Sequence, residues 1–124
     1  MGVKRLEDLE AFKLAVDFKL EVYRLLREHS NAQRDFRFCD QLRDSVSSVE
    51  ANLAEGWRRF VARDMAQFVR IALASLEEAK VRLRDGIHRG HFTEAECQRA
   101  FELGSRCGAA TMGLLRSLLP LGKR

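Results

Sequence analysis

Apolar side chains recur at three- and four-residue intervals along nearly the whole chain, and only three polar or glycine-bearing stretches interrupt them. That period is the helical one, so the chain has little option but to fold as helices. A single proline in 124 residues leaves those helices unbroken. The pattern predicts four of them, over about 7–29, 35–57, 64–86 and 94–119. A chain of 124 residues supports one modest core and is too short for two, so residues 1–124 form one domain. Four helices with short connections imply an all-α fold, an antiparallel up-down-up-down four-helix bundle.

The first helix is apolar on two sides. Leu9, Phe12, Val16, Leu20, Tyr23 and Leu26 form one stripe; Ala11, Leu14, Phe18, Val22 and Leu25 form a second, with Lys13, Asp17 and Arg24 between them. One stripe suffices for the internal core, so the second is expected at an oligomer interface, through Leu14, Phe18, Val22 and Leu25. The second helix carries Phe38, Leu42, Val46, Val49, Leu53 and Trp57 on one face, with small residues at its margin (Ser45, Asn52 and Gly56) that allow a neighbouring backbone to come close. In "NLAEGWRR" (residues 52–59), Gly56 is expected to end the helix or turn it tightly, and Trp57 to extend its apolar face. Asp64 with Gln67, and Thr93 with Glu96, are spaced as capping boxes for the third and fourth helices. The two glycines of "RDGIHRGHFT" separate those helices, and Pro120 and Gly122 are expected to end the last one.

Reactive chemistry has little material here. Cys39, Cys97 and Cys107 are odd in number and lack paired spacing, so they read as buried free thiols. His29, His88 and His91 fall in connections and read as solvated; two histidines three residues apart without a third ligand make no metal site. The serines of "RDSVSSVEAN" have no neighbouring base, and no phosphate-binding glycine loop is present. No catalytic residue, metal or cofactor is expected, and the chain reads as a non-enzyme. No charged leader precedes an apolar run and no stretch of about 18 apolar residues occurs, so a cytoplasmic protein without membrane contact is expected.

The charge points elsewhere. Twenty-two Lys and Arg against 18 Asp and Glu leave a net +4. In an up-down-up-down bundle the chain start, the second connection and the chain end share a pole, which collects Lys4, Arg5, Arg58, Arg59, Arg63, Arg116, Lys123 and Arg124 against fewer acids. Such a pole suits RNA or DNA phosphates.

With the helices placed, "QLRDSVSSVEANLAEGWRR" (residues 41–59) followed by "FVRIALASLEEA" (residues 68–79) resembles the bacterial four-helix bundle family, the 23S ribosomal RNA intervening-sequence proteins. The resemblance rests on Gln41, Leu42, Arg43, Ser48, Asn52, Ala54, Glu55, Gly56, Phe68, Ala72, Ser75, Leu76 and Glu77 or Glu78, and the opening "LEDLEAFKLA" looks like the family's start. Leu53 replaces the usual isoleucine, Glu50 stands where many members have proline, Ala74 replaces the glycine before Ser75, and Trp57 follows Gly56. The resemblance implies an up-down bundle assembled as a homopentameric ring, which would occupy the second stripe of the first helix. It also implies an association with ribosomal RNA insertions and a relation to the accessory variability determinant of diversity-generating retroelements, a basic ring that assists a reverse transcriptase. The expected function is a non-enzymatic, ring-forming protein that binds nucleic acid through its basic pole. The alternative is an adaptor or scaffold for a polymerase-type protein without direct nucleic-acid contact.

Overall fold

The computed structural model describes residues 3–123, with side chains through residue 119. A 3-10 turn (Leu6–Asp8) leads into α1 (Glu10–Glu28); a short α2 (Ser30–Arg34) follows, then α3 (Phe36–Trp57), α4 (Ala62–His88) and α5 (Glu94–Lys123). No strand occurs among the described residues. The four long helices match the four predicted segments, and the polar turn after α1 contains the extra short helix, which buries Ala32.

Local chemistry accounts for the boundaries. Thr93 and Glu96 form the expected capping box: the Glu96 amide donates to Thr93 Oγ1 at 3.1 Å and the Thr93 amide to Glu96 Oε1 at 2.9 Å. The other predicted box does not form. Val61 occupies the cap position of α4 without a side-chain hydrogen bond, which leaves Asp64 in the first turn, where its charge suits the helix dipole. At the far end α4 runs through Gly86 to His88 and stops at Gly90, whose φ of +81° continues no helix. The Gly90 amide donates to the Ile87 carbonyl (3.0 Å) and the His91 amide to the Gly86 carbonyl (2.9 Å), a Schellman closure. Gly86 is needed for space, since a Cβ there would lie 2.7 Å from ring atoms of both Phe38 and Phe92. Pro120 removes one amide from the last turn of α5 without stopping it, and the helix runs on to Lys123.

The long helices enclose one apolar core, and α1 and α4 each pack against both α3 and α5. Lys19 pairs with Glu50 while Tyr23 meets Ser47, and Ser48 meets Ser75 while Gln41 meets Arg82. Along α1 and α5, the Cys107 thiol reaches the Ala11 carbonyl and His29 reaches Glu96. In each pair, numbers rise on one helix as they fall on its neighbour. The result is a four-helix bundle.

This packing overturns the interface expected on α1. Leu14, Phe18, Val22 and Leu25 are all buried within one chain, and the more exposed side is the other stripe, where Leu20 is 53% exposed. The reason is geometric: a bundle helix wedged between two neighbours needs a wider apolar arc than one stripe supplies. Phe12, Val16 and Tyr23 are half-buried on the outer edge of that arc.

The three cysteines are free and buried. Burial pushes the Cys97 and Cys107 thiols up to about 11, and that of Cys39 also upward.

Candidate nucleic-acid interface

Helices α3 and α4 meet along a polar seam. Ser48 and Ser75 share a hydrogen bond of 2.8 Å between hydroxyls, and Asn52 Nδ2 donates to the Ser48 carbonyl and hydroxyl at 2.8 and 3.0 Å. Ser45 Oγ lies 2.8 Å from Glu78 Oε2, and Arg82 donates both to that carboxylate (3.2 Å) and to Gln41 Oε1 (2.9 Å). The Ser45 hydroxyl, then Arg82, hold the Glu78 carboxyl below its ordinary value. At the end of the seam the helices nearly touch: a Cβ on Gly56 would sit 3.0 Å from Phe68 Cβ and 3.3 Å from the Met65 carbonyl. Gly56 therefore serves helix contact from inside α3 and does not end it; Trp57, the last residue of α3, packs half-buried against the core.

Beyond that contact, four residues (58–61) turn the chain from α3 into α4. The Arg58 and Arg59 amides close onto the Glu55 and Gly56 carbonyls, and the Met65 amide onto the Val61 carbonyl, so the turn is tied at both ends. Arg59 is engaged, with Nη2 2.7 Å from Glu55 Oε2 and its guanidinium 4.7 Å over the Phe68 ring. Arg58 and Arg63 are exposed, and among the described residues neither has a carboxylate within 4 Å. Phe60 between them is fully exposed.

The other predicted basic residues lie on separate elements. Lys4 and Arg5 precede the 3-10 turn, with Arg5 bound to Asp8 at 3.1 Å; Arg116 is exposed on α5; the Lys123 side chain and Arg124 fall outside the described residues. A second basic group, which residue order did not single out, lines the groove between α1 and α5: Arg27 and Arg99, with Asp17 and the Glu21–Arg24 pair beside them.

The histidine expectation needs correction. His88 is exposed, but His29 and His91 are half-buried in a polar cluster at the junction of α2, α3 and α5. His29 Nε2 lies 2.7 Å from Glu96 Oε2 and its Nδ1 2.7 Å from the Leu25 carbonyl; His91 Nε2 lies 2.9 Å from Asp35 Oδ2, which also accepts from Arg89. Phe92 packs edge-on to His29, and Phe38 to His91. The hydrogen bond to Glu96 raises His29 and draws Glu96 down to about 2. These partners stand 67 and 56 residues apart in the chain, which is why spacing alone did not reveal them. No three metal-ligating side chains converge among the described residues. A groove of about 860 Å³ between α4 and α5 contains Arg84 stacked 4.5 Å from the Phe101 ring and no histidine.

The sequence profile of the 23S rRNA-intervening sequence protein family matches residues 7–111, which covers the bundle from before α1 to the middle of α5. The chain belongs to that family. No curated protein matches it. Within this intervening-sequence protein, most of the positions that resemble the family pattern lie along the α3–α4 seam: Gln41, Ser48, Asn52, Ser75 and Glu78 form its hydrogen bonds, Gly56 a close approach, and Leu42, Ala72 and Leu76 its buried base. The motif thus encodes how two helices pair and positions the arginine-bearing turn at their end. No described helix is long and apolar enough to cross a membrane.

Proposed function

We propose that this protein is a non-enzymatic helical scaffold that binds nucleic acid through the turn between α3 and α4, with Arg58 and Arg63 as the principal phosphate contacts. The carrying observation is that these two guanidiniums flank a tied, four-residue turn and have no carboxylate partner among the described residues, whereas Arg5 and Arg59 are each held by one. The opposed register of neighbouring helices supports an up-down-up-down course. On that course Lys4, Arg5 and Arg116 lie at the same pole as the turn and add charge around it. Phosphate contacts of this kind position a strand without reading its sequence.

The test is fluorescence anisotropy with a labelled 20-nucleotide RNA between 50 and 200 mM salt. Arg58→Glu with Arg63→Glu should weaken binding at least tenfold and flatten the salt slope by more than one unit, since each lost contact removes about 0.7 units on a single strand. Arg27→Glu with Arg99→Glu makes the same charge change on the α1–α5 groove and should cost little. Equal losses in the two double variants would show that net charge acts without a site, and a parent that does not bind at 50 mM salt defeats the reading.

A second reading, an adaptor for a polymerase-type protein or for further copies of the chain in a ring, draws support from Ile71 and Val81. Both are exposed on α4 with Ala74 between them. Ten residues separate them, about 2.8 helical turns, so they stand about 80° apart on one side of α4. Sedimentation velocity of the parent and of Ile71→Glu with Val81→Glu tests it: a parent that is monomeric at micromolar concentration removes the self-associating form.

A further inference from the structure

Phe60 is the most exposed large apolar side chain among the described residues, with its whole surface open to water, and nothing in the fold requires a phenyl ring there. It projects from a turn whose two ends are hydrogen-bonded, so little ordering is left for a ligand to impose. Arg58 and Arg63 stand within three residues on either side. Val61, next to it, is half-exposed and caps α4.

We propose that Phe60 is a stacking platform for an unpaired base, so that the turn selects single-stranded or looped nucleic acid over duplex. The inference rests on the nucleic-acid reading above and specifies its ligand. An open aromatic face beside cations is the combination by which proteins hold single strands: guanidiniums meet the phosphates while bases stack on the ring, with little dependence on sequence. A duplex offers Phe60 nothing equivalent, because its bases already stack on one another and present only their edges. A lipid surface is the weaker match. Phe60 and Val61 together bring less apolar surface than one myristoyl chain, which alone holds a protein to a membrane only marginally. The neighbouring Phe68 serves as an internal comparison: its ring already lies beneath the Arg59 guanidinium, and Phe60 is the one left uncovered.

Full exposure also makes the test clean, since truncating Phe60 removes no packing from the fold. Binding is measured by anisotropy on a labelled uridine 20-mer and on a blunt-ended two-strand RNA duplex of 20 base pairs, for the parent, Phe60→Ala, Phe60→Trp, and Arg58→Glu with Arg63→Glu. Phe60→Ala should weaken the 20-mer about tenfold to a hundredfold and leave the duplex within twofold, and Phe60→Trp should retain the parent's preference. An unchanged 20-mer affinity in Phe60→Ala, or an equal loss on both ligands, overturns the stacking role; if the arginine variant still loses binding, the nucleic-acid reading survives it. A parent that binds neither RNA defeats both. Phe60-dependent pelleting with vesicles of phosphatidylglycerol and phosphatidylcholine, without a single-strand preference, overturns the proposal in favour of a membrane.

Discussion

Truncating Phe18 discriminates most sharply between the two sides of α1. Its ring is entirely buried, and it packs against α5 closely enough that a Cβ on Gly104 would lie 3.3 Å from Phe18 Cε1. Phe18→Ala removes those ring contacts and leaves a cavity that the flanking helices cannot close without shifting. For a fully buried phenylalanine this costs about 3–5 kcal/mol. A chain of 124 residues unfolds with an entropy of about 0.26 kcal/mol/K near its midpoint, so each kcal/mol lowers Tm by about 4 °C. The expected fall is therefore about 11–19 °C in a thermal melt followed by circular dichroism at 222 nm. Leu20→Ala, two residues along on the exposed side, should change Tm by about 2 °C or less. Sedimentation velocity on the same samples reads assembly independently. If Phe18→Ala melted within 2 °C of the parent while lowering the sedimenting mass, Phe18 would be an interface residue and its burial within one chain would be refuted.

Two further outcomes follow from named contacts. The His29–Glu96 pair should give stability a pH optimum. His29 is raised above its ordinary 6.5 chiefly by the hydrogen bond to Glu96, so its contribution is whole below about 6.5 and is lost as pH rises through the higher folded value; Glu96, brought from 4.5 to about 2, contributes above 4.5 and loses this as pH falls toward 2. Urea midpoints should thus fall from pH 6 to pH 9, and His29→Gln should flatten that limb; a variant profile parallel to the parent's would refute the pairing. Gly90→Ala should lower Tm by about 4–8 °C, because an alanine held at φ +81° costs about 1–2 kcal/mol although open space surrounds it, and Gly90→Asn should cost less; equal melting of all three proteins would mean that the turn relaxes.

Some of this architecture was legible in the residue order and some was not, and the dividing line is locality. The 3.6-residue period placed the four long helices, and the Thr93–Glu96 box marked the start of α5, because both depend on residues within a turn or two of each other. The choice of core face on α1 depends instead on how many helices it touches. Its arc is wide because α3 and α5 both lean on it, and the same width is what a subunit interface would produce; Glu21, buried against Arg24 on the inner side, even carries the charge one would assign to solvent. The boundary of α4 also moved. Asp64 has the residue type of a cap, but Val61 holds the cap position and α4 begins at Ala62, ahead of the Met65 and Phe68 positions that meet Gly56. The arginines show the same divide. Composition supplied a surplus of positive charge, while only the fold distinguishes Arg59, spent on Glu55 and Phe68, from Arg58 and Arg63, which have no carboxylate within 4 Å among the described residues. A functional reading based on charge alone weights all three equally, so the single variants Arg58→Ala, Arg59→Ala and Arg63→Ala separate a pole of interchangeable charges from a site with two working members.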